Sequence, residues 1–253
     1  MSTLTLNPGR LTALGRSELT LLVRNRAALS VALLMPVMMV FVLRSTLSAD
    51  TVGSVAVATL TGGIGMVLLL VVYMNLVSAY VARREELVLK RLRTGEAGDL
   101  EILAGTALPA AVIALVQIGA LALAGAAVLD APAPDNPLPL VAGVLAALPL
   151  LAGMAAATSA FTRNVETAGI TTLPLFLLTA LGSGLFVPLD SLPDAMASVC
   201  ELLPLSGVMT LVRAGWDGGA ADGELLTAAA VTVAWIMVTV FAVQRWFRWE
   251  PRR

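Results

Sequence analysis

The sequence lacks most of the side chains that support catalysis or metal binding. It contains no histidine and one cysteine, Cys200, in 253 residues, and its only lysine is Lys90. Zinc and haem sites draw on histidine and cysteine, so the composition argues against both. A phosphate-binding loop needs G-x-x-x-x-G-K-[ST], but the residues before Lys90 are Val88 and Leu89. The sequence therefore predicts that the chain is not an enzyme, and an internal disulfide is impossible.

Charged residues are also scarce, at 13% of the chain against 58% hydrophobic residues. A helix needs about 20 apolar residues to cross about 30 Å of hydrocarbon. Six stretches come near or exceed that length, and their approximate bounds are 27–43, 55–80, 106–129, 138–161, 167–189 and 225–243. The sequence therefore predicts an all-α membrane protein with six transmembrane helices.

The six predicted spans contain essentially no ionisable residue. Proton relays and intramembrane proteases keep such residues inside the membrane, so the pattern disfavours both classes. Polar residues remain within the spans, including Asn75, Gln117, Thr158, Ser159, Thr171 and Thr172. We expect them to form interhelical hydrogen bonds. Contact with a substrate along a transport pathway is the alternative.

Basic residues mark one side of the predicted spans. Fourteen of the 16 precede the first span or follow the second, fourth and sixth, and only Arg44 and Arg213 fall on the other side. The positive-inside rule then places both termini in the cytoplasm. Residues 1–26 carry four arginines and no apolar signal region, so we expect an amphipathic helix on the cytoplasmic surface rather than a secretory signal.

Two loops carry further information. The cytoplasmic segment at about 83–95 predicts a short charged helix, in which Glu86 and Lys90 are spaced i, i+4. It is either a simple connector or a docking surface for a cytoplasmic partner. The long outer loop predicts two short helices within about 194–216, split at Pro204 and dipping into the outer edge of the bilayer.

Two motifs in these segments are similar to those of a known family. Arg84-Glu85, followed by Arg91-Leu92-Arg93-Thr94, resembles a stretch R-E-x-G-T-x-x-R-L-R, with Leu87-Val88 in place of Gly-Thr. The segment from Gly184 through Pro188 to Arg213 resembles that family's fifth span and re-entrant outer helices. With six spans and an N-terminal helix, the chain resembles the transmembrane subunit of ABC-2 type exporters.

The resemblance implies an ABC-2 (type V exporter-like) fold with an N-terminal interfacial helix, a coupling helix and re-entrant outer helices. It implies two copies of a separate ATPase that bind ATP and Mg²⁺, and a second permease subunit, identical or related. These would work in a bacterial cytoplasmic membrane, in contact with lipid and without nucleic acid. The residues expected to couple to the ATPase are Arg84, Glu85, Arg91, Arg93 and Thr94.

The substrate is less closely defined. Apolar spans suit efflux of a small hydrophobic or amphipathic molecule, such as a drug, an antibiotic or a lipid, and antibiotic resistance would then follow. Export of a polysaccharide or lipid-linked glycan is an alternative. A non-transporting scaffold or sensor subunit, or a stand-alone channel or carrier, would be a different class of protein.

Overall fold

The structure, a computed structural model, describes Met38 and residues 49–93, 98–186, 189–247 and 249–250. The helix predicted over 1–26, and the first predicted span apart from Met38, lie outside these residues. Both stay predictions.

Every regular element in the described part of the chain is helical, which confirms the predicted all-α membrane fold. The α-helices are α1 Ala49–Val67, α2 Asn75–Glu85, α3 Val88–Arg93, α4 Asp99–Val128, α5 Pro137–Phe161, α6 Val165–Gly182, α7 Asp194–Glu201, α8 Ser206–Asp217 and α9 Asp222–Trp246. A π-helix, Leu68–Met74, joins α1 to α2, and a short 3-10 turn covers Leu189–Ser191.

Five described helices are long and apolar enough to cross a membrane, and they coincide with the second to sixth predicted spans. They are Ala56–Glu85, Asp99–Val128, Pro137–Phe161, Val165–Gly182 and Asp222–Trp246. The first two run past the predicted bounds at 80 and 106, because their ends carry charged residues that an apolar stretch excludes. The fourth stops seven residues before the predicted bound at 189, since Gly184 adopts a φ of 70° and turns the chain.

The outer loop folds into a bent helical pair. Helices α7 and α8 meet at 95° and together satisfy the length and hydropathy of one span. At their junction, the indole Nε1 of Trp235 donates a hydrogen bond to the Leu202 carbonyl at 2.8 Å. Trp235 lies thirteen residues into α9, which corresponds to about 20 Å along that helix. The apex of the pair is therefore level with the middle of α9 along that helix.

Helix α5 is the centre of the described bundle. It packs against α8, α9, α2 and the π-helix. Glycines bring α8 very close to its neighbours: a Cβ atom at Gly215 would lie 2.6 Å from the Leu140 amide nitrogen on α5. At Gly207 it would clash with the Ala228 carbonyl oxygen on α9. Helix α8 is thus wedged between α5 and α9.

Candidate functional site at the charged end of the bundle

One end of the bundle, here called the charged end, brings together the last turns of α2, α5 and α9 and the first turns of α3, α4 and α6. Tyr80 near the end of α2 donates its hydroxyl hydrogen to the Leu103 carbonyl of α4 at 3.1 Å. Among the described residues, the charged side chains in the core are Arg84 and Glu101, and both lie at this end. Glu101 accepts a hydrogen bond from the Gly98 amide at 3.0 Å, at the start of α4.

The described residues 83–93 of the segment predicted as one helix over 83–95 form the end of α2 and the whole of α3, with a turn between them. Helix α2 ends at Glu85 and α3 begins at Val88. Between them Leu87 has a φ of 60°, in the left-handed region. The continuous helix implied by the Glu86–Lys90 spacing is therefore wrong. Leu87 stands where the family motif has glycine, and this backbone angle supplies a physical reason for a glycine there.

Helix α3 and the turn before it present a charged surface. Leu89 is buried, whereas Glu85, Glu86, Lys90 and Arg91 are exposed. Leu87, also on this surface, exposes 39% of its area. Glu85 and Arg91 therefore lie on the outside, where the sequence predicts coupling residues. Thr94, the last of that predicted set, lies outside the described residues.

The residues that follow α9 pack on α3. Lys90 Nζ lies 2.8 Å from Glu250 Oε1. The guanidinium of Arg93 lies 4.8 Å from the ring centroid of Trp249, and its Nε lies 3.1 Å from Asp99 Oδ1. We call Phe247, Trp249 and Glu250 the C-terminal tail.

Aromatic contacts extend this packing into the bundle. The ring of Phe247 meets that of Trp249 edge-on, with centroids 4.9 Å apart. Its other neighbour is Tyr80, whose centroid is 6.3 Å away. The C-terminal tail therefore links α3 to α2, a contact that sequence analysis did not predict.

Arg84 differs from the other predicted coupling residues, because its side chain points into the bundle. It is 1% exposed. Its Nη1 donates to the Ser159 carbonyl at 2.7 Å, and its Nη2 donates to the Thr162 carbonyl at 2.6 Å. These carbonyls belong to the last turn of α5 and the residue after it, where the carbonyls of a helix outnumber the backbone amides that can donate to them. A cation also complements the negative end of the helix dipole. Arg84 is thus a cap for α5 rather than a surface residue.

A second arginine forms a similar cap at the opposite end of the bundle. Arg213 of α8 donates from Nη2 to the Ser183 carbonyl at 2.7 Å and to the Gly184 carbonyl at 2.9 Å, just after α6. The structure thereby joins the two ends of the second sequence motif, Gly184 and Arg213. Pro188, between them, lies outside the described residues.

The polar residues of the spans occupy different environments. Thr158 is buried, and its hydroxyl lies 3.1 Å from that of Tyr73 in the π-helix, so it does connect two spans. Thr171 and Thr172 donate to carbonyls of their own helix, at 2.9 Å and 2.8 Å. Gln117 is buried within the bundle and Asn75 is exposed on its side. Their part in a transport pathway stays a prediction.

Comparison with known families agrees with this architecture. The family model described as ABC-2 type transporter matches residues 10–215, well over half of the chain. The chain belongs to the ABC-2 type transporter family. None of the curated proteins compared with it matches. Membership makes the chain a multi-pass membrane protein and the permease component of an ABC transporter, which works with an ATPase partner.

The family match covers both motifs of this ABC-2 permease. The first forms the turn and short helix at the charged end, and the second forms the Gly184–Arg213 contact at the opposite end. The C-terminal tail lies beyond the matched range. The aromatic residues near Arg245 are the only feature of the sequence that indicates this tail, and they do not specify the helix on which it packs.

Proposed function

We propose that this ABC-2 permease is the transmembrane subunit of an ATP-driven exporter, and that its ATPase docks on the surface of α3. One observation carries the proposal: α3 is a separate short helix, anchored in the bundle by buried Leu89, and Arg91 on α3 is exposed, as are Glu85 and Leu87 just before it. The short, charged surface is well suited to a groove of a cytoplasmic protein, since it is exposed and carries charges of both signs.

The proposed complex contains two permease subunits, identical or related, and two ATPase subunits that bind ATP and Mg²⁺. Both termini lie in the cytoplasm, as the distribution of basic residues predicts. ATP binding closes the ATPase pair and displaces α3. The permease pair then changes access from the inner leaflet or cytoplasm to the outside.

The proposed substrate is a hydrophobic or amphipathic molecule. The sides of the described spans are apolar, with exposed residues such as Ile170, Leu177 and Val233. In a bilayer such surfaces face lipid or a second permease. An apolar substrate can travel along them without the loss of hydration that a bare ion would suffer.

The first experiment is purification of the tagged permease in mild detergent, with mass spectrometry and an ATPase assay on the eluate. The proposal expects a stoichiometric ABC ATPase with vanadate-sensitive turnover. In inside-out vesicles, ATP should drive an amphipathic dye such as the ethidium cation into the lumen, which corresponds to export. An eluate without an ATPase, from cells that express one, would contradict the proposal.

The docking surface is tested by the double variant Glu85→Ala/Arg91→Ala. It should copurify less ATPase and show lower turnover, because two of the exposed charges of the surface are lost. Arg163→Ala/Glu166→Ala is the matched control, since both residues are exposed at the same end but lie in the turn and first helical turn that follow α5. Equal losses in the two double variants would show that α3 is not the specific docking site.

A further inference from the structure

We infer that Arg84 is a positioning residue that transmits displacement of α3 to α5, and through α5 to the re-entrant pair α7–α8. This inference rests on the proposed function, because it assumes that an ATPase moves α3. It assigns a role in coupling to a residue that the ATPase itself does not touch.

Arg84 bonds to both sides of the connection. Its backbone carbonyl accepts a hydrogen bond from the Leu87 amide at 3.1 Å, which closes the turn into α3. Its guanidinium donates to the carbonyls of Ser159, in the last turn of α5, and Thr162, just after that helix. The turn and the end of α5 are therefore joined through one residue, with no flexible segment between them.

Burial makes this connection stiff. Water does not compete for the guanidinium, since Arg84 is 1% exposed. Charged donors in such a site form strong, short hydrogen bonds. If the turn between α2 and α3 moves, the C-terminal end of α5 must therefore move with it, or the two buried hydrogen bonds of the Arg84 guanidinium must break.

The other end of α5 is fixed to α8. The Asn136 amide, just before α5, donates to the Gly215 carbonyl at 3.0 Å. A Cβ atom at Gly143 on α5 would lie 3.0 Å from the Leu211 Cβ and 3.2 Å from the Val208 carbonyl oxygen. Helix α5 therefore cannot shift without displacing α8. A chain of packed, hydrogen-bonded elements of this kind is the physical basis for coupling between distant sites.

The chain contains its own reporter for that movement. Cys200 is the only cysteine, partly exposed, and lies on α7. Its carbonyl accepts a hydrogen bond from the Ser206 hydroxyl at the start of α8. An environment-sensitive fluorophore on Cys200 reports movement at the re-entrant pair, whereas ATP turnover reports the ATPase. Measured on the copurified complex with Mg-ATP and vanadate, the two signals separate coupling from general damage.

The test variant is Arg84→Gln, which removes the charge and the two-pronged donor. We expect ATP turnover to persist while the fluorescence change at Cys200 falls about fivefold, within the range by which single substitutions alter coupling. Arg84→Lys keeps the charge but places all donors on one nitrogen, so it should give an intermediate response. Arg163→Gln, an exposed arginine in the turn after α5, should respond like the wild type.

Several results would overturn the inference. One is a full Cys200 response in Arg84→Gln. Another is a wild-type complex that hydrolyses ATP without any response at Cys200, since the re-entrant pair would then not follow α3. If Arg84→Gln does not fold, a full Cys200 response in Arg84→Lys, equal to that of the wild type, would also overturn the inference. A permease that copurifies with no ATPase would instead refute the proposed function on which the inference rests.

Discussion

Leu87 holds a backbone conformation that glycine would adopt with less strain. Its φ is 60°, and an L-residue with a Cβ atom loses about 1–2 kcal/mol in the left-handed region. Glycine has no such strain, although its greater conformational freedom in the unfolded chain cancels about 0.4–1 kcal/mol of this gain in stability. We therefore expect Leu87→Gly to stabilise the turn by about 0.5–1 kcal/mol relative to Leu87→Ala. The alanine variant is the proper reference because it also loses the partly exposed leucine side chain but keeps the strained backbone.

Hydrogen exchange of the turn measures this difference locally. The Leu87 amide donates to the Arg84 carbonyl, and the Arg91 amide donates to the Leu87 carbonyl at 3.0 Å. Both amides are exposed to exchange only when the turn opens. The free-energy difference corresponds to about two- to fivefold slower exchange in Leu87→Gly than in Leu87→Ala. Mass spectrometry of peptides that cover α2 and α3 gives the ratio.

Faster exchange in the glycine variant than in the alanine variant would refute the strain argument. ATPase activity of the complex gives a separate result. A loss shared by both variants reports the missing leucine side chain at the docking surface. A loss confined to Leu87→Gly reports a requirement for a Cβ atom at this position.

Three further predictions concern packing, and each is measured by thermal unfolding in detergent. Gly207→Ala should destabilise the protein by about 1–3 kcal/mol, since the new methyl group meets the backbone of α9. Gly119→Ala should not, because no described atom lies within 4 Å of that position. Tyr73→Phe should remove the hydrogen bond to Thr158 and lower the free energy of unfolding by about 0.6 kcal/mol, the average for hydrogen bonds between membrane spans. An unchanged melting temperature would mean that this bond does not stabilise the protein. Trp249→Ala should lower the free energy of unfolding by about 1–2 kcal/mol, because the contacts of the indole ring with Phe247 and Arg93 are lost. An unaltered melting temperature would show that the C-terminal tail does not stabilise α3.

The sequence was sufficient to predict the membrane class and most of the span positions, because apolar length is a local property. It also located the segment that forms α3 and the split in the outer loop at Pro204. The limits of this approach appear where charges begin. Arg84 and Glu101 are in the core, yet both lie outside the predicted apolar stretches, Arg84 after the one that ends at 80 and Glu101 before the one that begins at 106.

Contacts between distant segments could not be predicted from local patterns. Ser159 lies 75 residues from Arg84 in the chain, and nothing in the run of charges around Arg84 indicates that this one side chain turns inward. The same holds for the C-terminal tail, since two tryptophans near basic residues are also typical of a membrane-interface anchor. The left-handed turn at Leu87 was hidden for another reason: leucine does not signal such a conformation as glycine does.

Site-specific photo-crosslinking tests most directly whether an ATPase docks on α3. A benzoylphenylalanine at Glu86, exposed in the turn beside α3, should crosslink to an ABC ATPase in cells, and the same group at Glu224, exposed at the start of α9, should not. A crosslink from Glu86 alone would establish both the docking surface and the cytoplasmic side of the charged end. A crosslink from Glu224 alone, or none from Glu86 in cells where the ATPase copurifies, would contradict the account.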